Sequence, residues 1–313
     1  MVVDLDRNLA AVALRQHSVV TLDDVERAGG DKFDVHLRVS AGRWILVHDR
    51  VYRLAGAPWT FEGRVFAAVC AAGDGAVVSH FCAARLHGFG FPTALVELAI
   101  KRGRFHRPKG ATVHTSTDLD RCGVVLVAGC IPATDVARTL LDLAGSRLGD
   151  KLFVKVVTDA RRMDLVDWHD LVVTLAKHAR RGRRGIRRLR ETIAAGTVDE
   201  GLTETDSELV AVALLAEGGF PTPTLQHVIR AVDGRVVARM DIAFVFQRAN
   251  FEIDGPVHDD PAVAAKDDER DHELRTRYDW IVRRIPHRIP LDEPRRFLAI
   301  VRETLSLRPD SKL

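Results

Sequence analysis

Asp241, Glu252 and Asp254 fall on two strand-like segments separated by Gln247-Arg248-Ala249-Asn250. If those four residues form the loop, Phe246 pairs with Phe251, Val245 with Glu252, and Ala243 with Asp254. Side chains alternate across a strand, so Ile242, Phe244, Phe246, Phe251 and Ile253 then share one wholly apolar face, and Asp241, Ala243, Val245, Glu252 and Asp254 share the other. Three carboxylates spaced by small or apolar residues repel one another unless a positive charge compensates. A divalent metal supplies that charge, and hard oxygen ligands select Mg2+ or Mn2+. A metal so held polarises a phosphate and acidifies an attacking water. His258, just past the strand, and Lys266 or Arg270 on the following helix are placed to complete such a site.

Plainer readings stand beside this one. An alternating strand with an acidic, solvated face is common, Asp254-Gly255 can simply start a turn, and His258 alone can be a surface histidine. Glu208 fits a capping box with Thr205 as N-cap, a purely structural task.

The elements that must position these residues are legible around them. Thr205-Asp206-Ser207-Glu208 opens a helix with Leu209, Val212 and Leu215 at apolar positions. Leu225 to Val232 and Arg235 to Phe246 read as strands joined by the hairpin signal Asp233-Gly234, and residues 251–255 form the next strand.

Upstream, a basic run comprises Lys177, Arg180, Arg181, Arg183, Arg184, Arg187, Arg188 and Arg190. So many cations repel unless anions neutralise them, and DNA phosphate is the natural anion. A solvated linker between domains is the alternative, and both readings can hold together. Residues 1–60 read as three helices and a ribbon. Leu9, Val12 and Ala13 space helically, Thr21 caps a second helix stopped by Gly29-Gly30, and a third runs from about Phe33 to Ala41. Residues 42–47 and 50–54 then form two strands turning at His48-Asp49. This is the outline of a winged helix-turn-helix. Arg38 on the third helix and Arg43, Arg50 and Arg53 on the ribbon lie where such a unit meets double-stranded DNA. A protein-binding winged helix is the alternative.

Residues 61–146 mix helices with strands at Val96 to Lys101, Ala111 to Thr115 and Val124 to Val127, and a helix begins at Thr134. His80 and His87, seven apart, share a helical face but have no third ligand nearby, so packing or surface roles are expected of them.

The chain of 313 residues is 46% hydrophobic and 28% charged, with a net charge of +3. It holds enough apolar material for more than one core, and no apolar run reaches the roughly 18 residues of a membrane helix. The acidic start Met1-Val2-Val3-Asp4-Leu5-Asp6 is unlike a secretory signal, so a cytoplasmic location without membrane contact is expected. Cys70, Cys82, Cys122 and Cys130 lack metal-ligand spacing and are expected as reduced thiols. No phosphate-cradling glycine loop, dinucleotide fingerprint or HExxH is present.

Two resemblances run through these segments. Residues 240–244, 251–258, Arg270-Asp271, Leu274 and 280–284 are similar to the short domain related to very-short-patch-repair endonucleases, within the PD-(D/E)xK superfamily. That resemblance implies Asp241 and Glu252 as metal ligands, Asp254 in the place of the usual Lys, His258 assisting, and Glu208 as the first-helix acid. Gly42-Arg43-Trp44, residues 51–58, Ser79-His80, residues 83–88 and residues 138–144 resemble AbiEi-type antitoxins of type IV toxin–antitoxin systems. In that family the winged helix represses its own operon, and the following domain helps neutralise a cognate toxin protein. The two regions recur joined, especially in high-GC Gram-positive bacteria.

The expected molecule is therefore a multi-domain α+β or α/β protein. It has a winged helix at 1–60, an antitoxin-like α/β domain at 61–146, a helical basic linker at 147–199 and a restriction-endonuclease-like α/β core at 200–313. The expected function is Mg2+- or Mn2+-dependent DNA cleavage. The alternative is a non-enzymatic repressor or antitoxin with an inactive nuclease-like domain, and a homodimer is compatible with either.

Overall fold

Residues 5–103, 106–121, 123–197, 203–254 and 261–308 are described by a computed structural model, with 261–268 as backbone only. Among them are 13 helices and three sheets, a mixed α/β architecture, and the chain divides into two units, Met1–Leu165 and Val166–Leu313.

The first unit opens with α1 (Leu5–Arg15), β1 (Val19–Thr21), α2 (Leu22–Arg27), α3 (Lys32–Ser40), β2 (Trp44–His48) and β3 (Val51–Leu54). Helices of six and nine residues are too short to persist alone. Reciprocal capping boxes, Thr21 with Asp24 and Asp31 with Asp34, satisfy their first N–H groups. Leu9, Val20, Leu22, Val25, Val35 and Trp44 form the core that holds them. The hairpin turns at Asp49-Arg50, one residue later than expected, with Arg50 at φ 60°. β1 adds to β3, giving the order β1-β3-β2. Three residues are too few to show strand alternation in sequence, and their partner lies about 30 residues on, with Val20 opposite Tyr52.

The same unit continues through α4 (Phe61–Ala72), β4 (Val77–Val78), α5 (His80–Leu86), β5 (Val96–Lys101), β6 (Ala111–Ser116), β7 (Val124–Val127), β8 (Ile131–Thr134), α6 (Val136–Ala144) and α7 (Asp150–Arg162). The five strands order as β6-β5-β4-β8-β7. α6 begins at Val136, two residues later than expected, and Asp135 caps it, accepting from the Arg138 N–H. Cys70, Cys82 and Cys130 are free thiols, and Cys122 lies outside the described residues. His80 stacks on His114 with ring centroids 3.7 Å apart, and His87 Nε2 meets the Thr134 carbonyl at 2.8 Å.

The second unit comprises α8 (Trp168–His178), α9 (Ile186–Gly196), α10 (Glu204–Gly218), β9 (Thr224–Arg230), β10 (Val236–Phe244), β11 (Ala249–Asp254), α11 (Pro261–Arg277), β12 (Ile281–Pro286), α12 (Ile289–Asp292) and α13 (Pro294–Ser306). The sheet order is β12-β11-β10-β9: β9, β10 and β11 form an antiparallel meander, and β12 returns parallel to β11 after α11. The described part of the 147–199 segment holds α7, α8 and α9, and the division at 165/166 falls inside it, giving α7 to the first unit and α8 and α9 to the second. Among the described residues no helix is long and apolar enough to cross a membrane.

Candidate functional site

The β10–β11 register decides which carboxylates face one another. Ile242 pairs with Phe251, Ala243 with Asn250 and Phe244 with Ala249, so residues 245–248 form the turn. This is four positions from the expected pairing. A slip of four conserves the face, because side chains repeat every two residues. Ile242, Phe244, Phe251 and Ile253 therefore remain together in the core. Phe246, expected among them, lies on the turn and is 88% exposed. One step further along the observed register, Asp241 rather than Val245 stands opposite Glu252.

The neighbouring strands extend this into a row. Counting back from the β9–β10 turn, Met240 pairs with His227 and Ile242 with Leu225, which sets Gln226 across from Asp241. On the other side Glu252 pairs with Arg284 of β12. Arg284, Glu252, Asp241 and Gln226 thus cross four strands in line. Gln226 Nε2 donates to Asp241 Oδ1 at 3.1 Å and to Glu208 Oε2 of α10 at 3.5 Å. Asn250 Nδ2 donates to Glu252 Oε1 at 3.2 Å.

Glu208 is freed for this contact because α10 starts earlier than expected. Thr203, not Thr205, is the N-cap, and Asp206 completes its capping box.

Nor is the acidic face a solvated one. Glu252 is 6% exposed, Asn250 is fully buried, and Asp241 and Glu208 are half-buried. Burial pushes the Glu252 carboxyl up to about 7; Arg270 and Arg284 oppose this, while Asp271 and Asp241 add to it. Burial also raises Asp241, although the Gln226 and Ile253 hydrogen bonds oppose it. Glu208 is raised by burial and then by Asp241.

Two guanidiniums stand among these acids. Arg270 Nη2 of α11 reaches Glu252 Oε1 and Oε2 at 3.4 and 3.1 Å. Arg284 Nη2 lies 3.5 Å from Glu252 Oε2, and Arg284 Nη1 lies 3.8 Å from Asp254 Oδ2. Arg284 thus lies beside both Glu252 and Asp254. Among the described residues no group of three or more His, Cys, Asp or Glu side chains converges as a metal site, and Asp241 and Glu252 are the two carboxylates that the register sets face to face. His258 and the Lys266 side chain lie outside the described residues.

The donor chemistry of the pair fits a hard divalent cation. Mg2+ is commonly held by one or two carboxylates, with water and phosphate completing its shell. Both carboxylates carry a desolvation cost that a cation relieves, and the buried Asn250 Oδ1 beside them has no hydrogen-bond partner among the described residues. Sequence reasoning missed Gln226, Asn250 and the alignment of Arg284. Gln226 could have been found by pairing residues across Asp233-Gly234.

The expected basic contacts sort by exposure. Arg38 is 6% exposed, bound through Nε to Asp6 at 2.8 Å, paired with Asp34 and stacked over Trp44. It ties α1 to α3 instead of facing a duplex, a correction to its expected role. Arg43 and Arg50 are exposed, although Arg43 pairs with Asp6 and Arg50 with Asp23, and Arg53 lies over Trp59. In the basic run, Lys177, Arg180, Arg181, Arg184 and Arg187 are exposed, and Arg183 and Arg188 are half-buried. Arg190 is buried in an ion pair with Glu217. The run is the α8–α9 turn and its flanks, anchored by buried Leu171, Leu175, Ile186, Leu189 and Ile193.

Comparison of the sequence with known protein families and with curated proteins finds no match.

Proposed function

We propose that this chain is a cytoplasmic bacterial DNA-binding protein whose second unit hydrolyses phosphodiester bonds, with Asp241 and Glu252 holding a divalent cation. The observation that carries this reading is the cross-strand row, in which buried Glu252 and half-buried Asp241 face each other with Gln226 and Asn250 fixing their oxygens. On this reading β9–β12 with α10 and α11 is a restriction-endonuclease-like core, residues 1–60 are a winged helix, and the five-stranded sheet belongs to an antitoxin-like domain. Bound there, the cation supplies Lewis acidity toward the phosphodiester and a lowered pKa for water. Gln226 orients Asp241, Asn250 orients Glu252, and Glu208, its pKa raised, is suited to accept a proton. Arg43, Arg50 and Arg53, with the exposed cations around the α8–α9 turn, contact duplex phosphates.

The test is plasmid cleavage by the full chain with Mg2+ or Mn2+, against EDTA and Glu252→Gln. Metal-dependent nicking or linearisation that the variant loses while still binding DNA is the expected result. A variant that cuts at the wild-type rate removes Glu252 from the chemistry.

A second reading is favoured by one observation, the engagement of Glu252 by two arginines. A repressor or antitoxin of a type IV toxin–antitoxin system could use the nuclease-like domain as a binding platform only. Tight DNA binding with no cleavage in either metal supports that reading.

A further inference from the structure

The two guanidiniums on Glu252 are not equivalent. Arg284 is its register neighbour, and Asp271 grips it twice, at Nε (3.1 Å) and Nη2 (3.4 Å). That bidentate grip holds Arg284 independently of Glu252. Arg270 comes from α11, outside the sheet, and its contact with Asp271 is longer, 3.6 Å. It touches both Glu252 oxygens, and Asn250 Nδ2 also occupies Oε1. A cation ligated by Glu252 needs one of those oxygens cleared, and a divalent ion beside a guanidinium is repelled by it.

We propose that Arg270 is a removable counter-ion. It neutralises Glu252 in the cation-free protein, withdraws when a divalent cation binds, and thereby weakens that binding. This rests on reading Asp241 and Glu252 as cation ligands, and it adds a control of loading. A guanidinium that leaves one carboxylate is stabilised by a new anion, and the bidentate geometry it prefers is offered by a phosphate. Duplex DNA is then the natural acceptor for Arg270, and DNA and cation binding reinforce each other. By linkage, DNA tightens the cation by the same factor as the cation tightens DNA. Arg270 is a positioning residue in this scheme, acting through Glu252.

Calorimetric titration of Mn2+ into the full chain tests this without reference to cleavage. Arg270→Gln is expected to bind Mn2+ about tenfold more tightly than wild type, within the usual range of coupling between sites. Arg235→Gln removes an equal charge from an exposed pair with Glu273, on the same helix as Arg270, and controls for net charge. It is expected to change affinity by less than about twofold. Adding a saturating non-cleavable duplex should tighten Mn2+ more in wild type than in Arg270→Gln, the difference being the part carried by Arg270. Equal Mn2+ affinity in wild type and Arg270→Gln, or an equal gain in Arg235→Gln, overturns the counter-ion while leaving the two ligands in place. No Mn2+ binding in either wild type or Arg270→Gln overturns both this proposal and the cation reading beneath it. A circular-dichroism melt of each variant excludes loss of fold as the cause.

Discussion

Glu252 has an acidity set by the fold rather than by its own chemistry. Burial lifts its carboxyl from the ordinary 4.5 to about 7. The folded pKa lies above the unfolded one, so the native state holds this proton more tightly. The stability so contributed is complete below about pH 4.5 and is lost as pH rises through about 7. Glu252→Gln keeps the shape and removes the charge. Its melting temperature relative to wild type is therefore expected to climb between about pH 5 and about pH 8, read from parallel thermal melts. Two curves that stay parallel would mean that Glu252 ionises as readily in the fold as in the unfolded chain. His169 shifts in the same direction for a different reason. A hydrogen bond at 2.6 Å between its Nδ1 and Asp206 raises its pKa despite some desolvation. Its contribution is complete below the ordinary 6.5 and fades as pH rises through the raised value, so His169→Ala should destabilise at about pH 6 and much less at about pH 9.

The start of α10 shows how elements decide which residues reach the row. Thr203-Glu204-Thr205-Asp206 and Thr205-Asp206-Ser207-Glu208 both have the spacing of a capping box. With the acid at Asp206, Glu208 is released toward Gln226; with the acid at Glu208, it would be spent on the helix end. Local pattern cannot choose between them. What distinguishes them is Asp206, 5% exposed and bonded to His169, 37 residues upstream. Thr203→Ala removes the hydroxyl that accepts from the Asp206 N–H and should cost about 1 kcal/mol, measured by denaturant titration. No measurable loss would shift the weight of the cap to the Asp206–His169 bond. The strands follow the same logic. Alternation made the apolar and acidic faces legible, since any even slip conserves them. It could not set the pairing across residues 245–250, so Asp241 facing Glu252 was hidden. The two arginines were hidden for another reason: β12 reaches Glu252 only after α11, through a parallel crossover that no local spacing records.

Over the whole molecule the net charge of +3 says little, because most basic side chains are matched by acidic ones. The exposed cations of the α8–α9 turn are close together in sequence. Arg181 and Arg184 are exposed on either side of Gly182, while buried Leu175, Ile186 and Leu189 hold the helices that carry them. Within the same run Arg190 faces inward to Glu217 and Arg187 pairs with Glu191, so length of run alone overstates the cationic surface. If duplex phosphates neutralise the exposed arginines, each contact releases about one counterion, and the logarithm of affinity falls with the logarithm of salt in proportion. Arg181→Ala with Arg184→Ala should then weaken binding alike on all sequences and flatten the salt slope by about two. Arg190→Ala should leave the slope unchanged and lower the melting temperature instead, since it strands Glu217 in a half-buried position. Fluorescence anisotropy over a salt series separates the two effects. An unaltered slope in the double variant would make the α8–α9 turn a solvated surface and leave the phosphate contacts to Arg43, Arg50 and Arg53 of the first unit.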